Sequence, residues 1–80
     1  MDEEQIFKVR DLGLAAALVS SDHDVCATNR DKSGRAHFVF IHSEKLEQTI
    51  NEYWADKLEV KARKYFDNIK MLKSRIYSEH

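Results

Sequence analysis

One hairpin signal among otherwise helical patterns most constrains the fold of this chain. Residues 35–41 contain the run HFVFI, whose β-branched and aromatic residues favour a packed strand. Residues 25–30 form a second candidate strand. The DKSG segment between them is rich in turn residues, and Gly34 can adopt a positive φ. An isolated hairpin is at best marginally stable in water, so helices must cover it. The sequence therefore predicts an α+β fold.

The turn fixes the register that we expect for the hairpin. A loop at residues 31–34 places Arg30 opposite Arg35 and Val25 opposite Phe40. Strand alternation then puts Phe38 and Phe40 on one face of the ribbon, where we expect them in the core rather than stacked on bases. The other face is also apolar near the centre of the strand, so we expect both faces to be covered.

Three further segments have helical patterns. Asp11 is the expected N-cap of a short helix, LGLAAALVSS, which is so apolar that it must be buried from more than one side. Ser43 is the expected N-cap of EKLEQTINEYWADK, in which Tyr53 and Trp54 should fill space against the sheet. A third helix is expected from about Val60, where Met71 should face outward.

These elements predict an order for the whole domain. A short N-terminal helix precedes the β-hairpin, and two amphipathic helices then pack on the sheet. Residues 6–10, IFKVR, alternate loosely and could add a short third strand.

Length and composition bound the class of protein. Eighty residues, of which 42% are hydrophobic, support a single domain over residues 1–80 with one small core. No apolar run approaches the roughly 18 residues that a membrane span needs. The acidic start MDEEQ argues against a secretory signal peptide. Cys26 is the single cysteine, so we expect a small buried thiol, no disulfide and a cytoplasmic protein.

Basic residues concentrate in the hairpin and the last helix, although the net charge is −1. Six of these bases are candidate contacts for nucleic acid or a partner: Arg30, Lys32, Arg35, Lys61, Lys64 and Arg75. The bases of the last helix flank its apolar stripe on both sides instead of forming one ridge. A solvated face with paired charges therefore competes with the phosphate-binding interpretation.

Catalytic and metal-binding patterns are weak. A nucleophilic cysteine needs a neighbouring base, and the sequence around Cys26 offers aspartates instead. The expected register brings His23 across from His42, but no paired-ligand spacing defines a metal site. Two distant glycines cannot form a phosphate-binding loop. We therefore expect no enzyme activity, no cofactor, no metal and no small-molecule substrate.

Four short motifs span most of the chain. They are RDLGLAAALVSS, the FVF of residues 38–40, NEYW ending at Trp54, and LKSRIY ending at Tyr77. Together they resemble a family of small, uncharacterised bacterial domains that are common on mobile elements and in phages. Because the function of that family is unknown, the resemblance implies a fold and a setting but supplies no catalytic residues.

The sequence thus leaves two functions open. The first is a small non-enzymatic interaction module that binds a protein partner or itself, in a phage, a mobile element or its bacterial host. The alternative is a nucleic-acid-binding protein that uses the basic hairpin tip and the C-terminal helix. We expect no contact with a membrane in either case.

Overall fold

The computed structural model of the chain describes residues 5–78. The elements in chain order are β1 (Ile6–Val9), α1 (Leu12–Ser20), β2 (Val25–Arg30), β3 (Ala36–Ile41), α2 (Glu44–Trp54) and α3 (Ala62–Ser78). The fold is α+β, as the sequence predicts. The first described element is a strand and not a helix, however, because residues 6–9 pair with the hairpin. None of the helices described is long and apolar enough to cross a membrane.

The three strands form an antiparallel sheet of order β1-β3-β2. The most apolar strand, β3, lies in the centre and pairs with β1 so that Ile6 is opposite Ile41 and Val9 is opposite Phe38. The more polar β2 forms one edge. Central strands bury both backbone edges and most of their side chains, which explains why the HFVFI segment occupies this position.

The hairpin register differs from the expected one at the turn. The loop covers residues 31–35, so Arg30 lies opposite Ala36 and not opposite Arg35. A β-bulge between Val25 and Ala27 then shifts the register back, and Val25 faces Phe40 as the sequence predicts.

The Asp31 carboxylate organises this longer loop. Its Oδ1 accepts hydrogen bonds from the Ser33 amide at 3.0 Å, the Ser33 hydroxyl at 2.8 Å and the Arg35 amide at 3.0 Å. Gly34 adopts φ +87°, a conformation that side chains rarely permit, and donates its amide to the Asp31 carbonyl. The expected turn chemistry is therefore present, but it spans one more residue.

Helix α1 is the centre of the helical layer. The Asp11 side chain accepts a hydrogen bond from the Leu14 amide at 2.9 Å, which confirms the expected N-cap. Residues Ala15–Ala17 are almost completely buried, so the expected burial from more than one side is also confirmed. The small alanine side chains allow α2 and α3 to pack closely along α1.

The core lies between α1 and the inner face of the sheet. Phe38 and Phe40 are 1% and 0% exposed and belong to one buried cluster with Leu18 of α1, Leu46 of α2 and Leu72 of α3. The two phenylalanines are therefore core residues, as the sequence predicts.

The sequence predicts some cover on both faces of the sheet, and the outer face has less of it than the inner face. The groove on this face is lined by strand residues and the hairpin loop and by no helix of residues 5–78. The molecule is correspondingly thin, with extents of 38 × 35 × 18 Å. Val39 is nevertheless almost buried, because long polar neighbours such as Lys8 on the same face shield it.

Three other side chains are not where the sequence places them. Trp54 is 63% exposed because it follows Tyr53 by one helical position and so points away from α1. Cys26 is exposed because it is the extra residue of the β2 bulge. Met71 faces partly inward and packs against the core instead of pointing outward.

Candidate functional site

The outer face of the sheet forms a shallow groove of about 630 Å³, which we call the sheet groove. Its apolar floor consists of Ile6, Ala27 and Val39. Its polar lining is contributed by Lys8, Asn29, Arg30, Asp31, Lys32 and His37. Pleated alternation explains this composition, since every second residue of each strand faces away from the helices.

The charge of the sheet groove is positive. Within the described chain, Asp31 is the only carboxylate that lines the sheet groove. This carboxylate already accepts the hydrogen bonds of the turn, and its Oδ2 lies 2.9 Å from Arg10 Nη2. The hydrogen bonds from the Ser33 hydroxyl and the Arg35 amide lower the pKa of Asp31 to about 2. Lys8 and Lys32 therefore face a groove with little negative charge to neutralise them.

Arg30 has a structural contact that the sequence did not indicate. Its Nη1 donates to the Gly34 carbonyl and its Nη2 donates to the Ile76 carbonyl, both at 2.9 Å. The second bond ties the hairpin to the last turn of α3. Because Arg75 precedes Ile76, it is brought to the same end of the molecule as the exposed bases Lys32 and Arg35. We call these three residues the basic corner.

The other two candidate bases lie elsewhere. Lys64 is near the start of α3, where its Nζ lies 3.5 Å from Asp22 Oδ1. At 1.5 Å per residue it is roughly 16 Å from Arg75 along the helix axis. Lys61 precedes α3 and is exposed. The structure therefore divides the six predicted contact residues into two separate groups.

A second groove, which the sequence did not reveal, lies between α1, the end of α2 and the start of α3. It has a volume of about 460 Å³, and we call it the aromatic groove. Its lining is mostly aromatic and apolar: Ala17, Tyr53, Trp54, Asp56, Leu58, Val60 and Tyr65. In the sequence, these aromatic residues fit the helical spacing expected of core residues. That spacing does not distinguish a ring inside the core from a ring at its edge.

The two tyrosines of the aromatic groove converge on the first turn of α1. The Tyr65 hydroxyl donates to the Gly13 carbonyl at 3.2 Å. A Cβ atom at Gly13 would lie 2.9 Å from the Tyr53 hydroxyl and 3.2 Å from the Tyr65 hydroxyl, so only glycine fits without displacement. Burial raises the pKa of Tyr53, and the neighbouring Tyr65 and Asp11 raise it further.

The two histidines that the sequence placed together have separate partners. His23 Nε2 lies 3.1 Å from Thr49 Oγ1, and burial lowers the pKa of this histidine. His42 Nε2 lies 3.1 Å from Glu47 Oε2. Within residues 5–78 no group of three His, Cys, Asp or Glu side chains is placed to hold a metal ion.

Comparison with known proteins identifies the family of the chain but does not indicate an activity. No curated protein and no solved structure matches the chain. The model of one family, described as a domain of unknown function (DUF5659), matches residues 4–78. Since that match covers almost the whole chain, the protein belongs to the DUF5659 family, whose function is unknown.

Proposed function

We propose that the chain is a small, non-enzymatic interaction module that binds a protein partner, or a second copy of itself, through the sheet groove. The observation that carries this proposal is the outer face of the sheet, whose groove no helix of residues 5–78 lines. Ile6 and Ile41 lie opposite each other across β1 and β3 and are 54% and 39% exposed. Apolar residues that stand together in water without a role in the core are typical of interaction surfaces.

The composition of the sheet groove supports a protein as the partner. An apolar floor surrounded by polar side chains is the usual anatomy of a protein interface. A catalytic site would instead bring titratable groups together in a cleft. In the described chain His23 and His42 are engaged with different partners, and the sheet groove is shallow.

The setting is part of the same proposal. We place the module in the cytoplasm of a bacterial host, encoded by that host, a phage or a mobile element. The motifs RDLGLAAALVSS, FVF, NEYW and LKSRIY support the setting by resemblance. A single exposed thiol, Cys26, suits a reducing compartment.

Affinity capture with matched variants tests the proposal. The tagged chain is used to recover partners from extracts of the native cell, and the affinity of the recovered partner is then measured. Ile41→Glu should weaken that binding by about tenfold or more, because it places a charge opposite Ile6, which belongs to the apolar floor. Phe66→Glu is the control, since Phe66 is 57% exposed on α3, away from the sheet. An equal loss in both variants, or turnover of a small substrate by the purified protein, would contradict the proposal.

The basic corner supports nucleic-acid binding as the second candidate function. The Arg30 bond to Ile76 places Lys32, Arg35 and Arg75 at one end of the molecule. Phosphate binding of this kind weakens steeply as salt is raised. For this candidate, the double variant Lys32→Glu, Arg35→Glu should abolish a mobility shift with duplex or single-stranded oligonucleotides. Arg30 is left unchanged because its loss would disturb the fold.

A further inference from the structure

We propose that the aromatic groove binds the side chain of a lysine presented by a partner protein. The proposal rests on the protein-binding function proposed above, but it concerns a different surface from the sheet groove. Its basis is the combination of aromatic walls, one carboxylate and an apolar side in the same groove.

The aromatic walls suit a cation. The Tyr53 and Trp54 rings are 5.0 Å apart with an interplanar angle of 80°, so they form two adjoining walls of a corner. Trp54 is 63% exposed, so most of its ring surface faces water and not the core. Ring faces carry negative potential and attract ammonium groups. The chain already contains one such contact on α3, where Lys70 Nζ lies 5.0 Å from the Phe66 ring centroid.

The charge of the aromatic groove is complementary to a cation. Asp56 is the one charged residue among the described residues that line it. This residue adopts φ +62° where α2 ends, a conformation that only Gly, Asn and Asp adopt at low cost. Lys57 and Lys61 are close in sequence but do not line the groove.

The remaining walls suit the rest of a lysine side chain. Leu58 and Val60 are partly buried and line the groove with apolar surface. A lysine can lay its methylene stem along such a surface while its ammonium group reaches a carboxylate and an aromatic face. The volume of about 460 Å³ leaves room for this side chain.

Intrinsic fluorescence offers a direct test, because Trp54 is the only tryptophan of the chain. The full chain is titrated with Nα-acetyl-lysine methylamide at constant ionic strength, and with the norleucine analogue, which has a similar stem and no charge. We expect a saturable change in Trp54 emission with a dissociation constant on the order of 1 mM for the lysine probe. The norleucine probe should bind about tenfold more weakly or not at all. Equal responses to both probes, or no saturable response to lysine, would overturn the proposal.

A matched pair of variants locates the site. Asp56→Asn keeps a residue that tolerates the left-handed backbone and should weaken the lysine probe by about fivefold. Asp67→Asn removes an exposed carboxylate from α3, outside the aromatic groove, and should leave binding unchanged. Equal affinities in the two variants would contradict the assignment to Asp56. Tighter binding of the arginine analogue than of lysine would contradict the choice of side chain.

The sheet groove proposal and the aromatic groove proposal can be refuted independently of each other. Ile41→Glu disturbs the sheet groove only, so it should leave the lysine titration unchanged even where it weakens partner capture. A chain that captures its partner in the Asp56→Asn form as well as in the wild type would refute the role of the aromatic groove in that complex. It would leave the sheet groove proposal intact.

Discussion

The two faces of the central strand β3 have opposite roles. Phe38 and Phe40 point inward and are among the most completely buried side chains of the molecule. His37, Val39 and Ile41 point outward, where no described helix lines the groove. Ile41 is 39% exposed there, whereas His37 and Val39 are each 6% exposed. Five consecutive residues thus supply both the centre of the core and the floor of a candidate binding surface.

This difference shows what an alternating sequence can and cannot specify. Alternation assigns each residue of HFVFI to one of two faces, but both sets are apolar enough to be buried. Which of the two faces is buried depends on the side of the sheet on which α1 packs. The position of α1 in turn depends on its contacts with the neighbouring elements. The exposed Ile6 and Ile41, on a face whose groove no described helix lines, are the feature that favours a partner there.

The largest expected effect comes from a truncation on the inner face. Phe40→Ala should reduce the free energy of unfolding by about 3–5 kcal/mol, because it removes a fully buried ring and leaves a cavity. Ile41→Ala, one residue away on the outer face, should cost less than about 1 kcal/mol. Urea denaturation monitored by circular dichroism measures both values. Similar losses in the two variants would show that the outer face is also packed.

Gly13 tests how tightly the helical layer is packed behind the inner face. Ala is usually favourable in a helix, but here its Cβ would lie 2.9 Å from the Tyr53 hydroxyl. Gly13→Ala should therefore lower the free energy of unfolding by about 1–2 kcal/mol. In a Tyr53→Phe background the cost of the same substitution should be clearly smaller, since the nearest clashing atom is absent. A stabilising Gly13→Ala in the wild-type background would show that the tyrosines have room to move.

Arg30 and Lys32 test which bases of the hairpin are structural. Arg30→Ala removes the hydrogen bonds to the Gly34 and Ile76 carbonyls and should cost about 1 kcal/mol. Lys32→Ala should change the free energy of unfolding by less than about 0.5 kcal/mol, because Lys32 is exposed. Thermal unfolding of the two variants in parallel measures the difference. Equal stability would mean that the link between the hairpin and α3 is not maintained in solution.

The smallest expected effect is the pH dependence due to His23. Burial lowers the pKa of His23 in the folded chain, so the fold favours its neutral form. The corresponding stability is present above pH 6.5 and decreases as the pH falls below that value. The difference in unfolding free energy between pH 7.5 and pH 5.5 should be smaller in His23→Gln than in the wild type. An unchanged difference would exclude His23 as a contributor.

Local chemistry made much of the fold predictable from the sequence. The caps at Asp11 and Ser43 are visible because capping involves residues only two or three positions apart. The burial of Phe38 and Phe40 follows from strand composition. The sequence does not decide on the third strand, because a short, loosely alternating segment such as IFKVR becomes a strand only when a partner is available.

The candidate surfaces were less predictable because they depend on residues distant in sequence. The Arg30 bond to Ile76 joins positions 46 residues apart, so no local pattern indicates it. Trp54 and Tyr53 share the same helical stripe in the sequence, but Trp54 is exposed and Tyr53 packs against the core, a difference that depends on where the other helices lie. The uncovered face likewise depends on where all three helices lie.

The accessibility of isoleucine methyl groups tests the central claim of an uncovered outer face most directly. In a methyl-labelled sample of the wild-type chain, a soluble paramagnetic chelate accelerates relaxation of methyl groups that contact water. We predict large enhancements for Ile6 and Ile41 and small ones for Ile50 and Ile69, which pack against the core. Protection of Ile6 and Ile41 to the level of Ile50 would contradict the account, because it would mean that the outer face of the sheet is already covered.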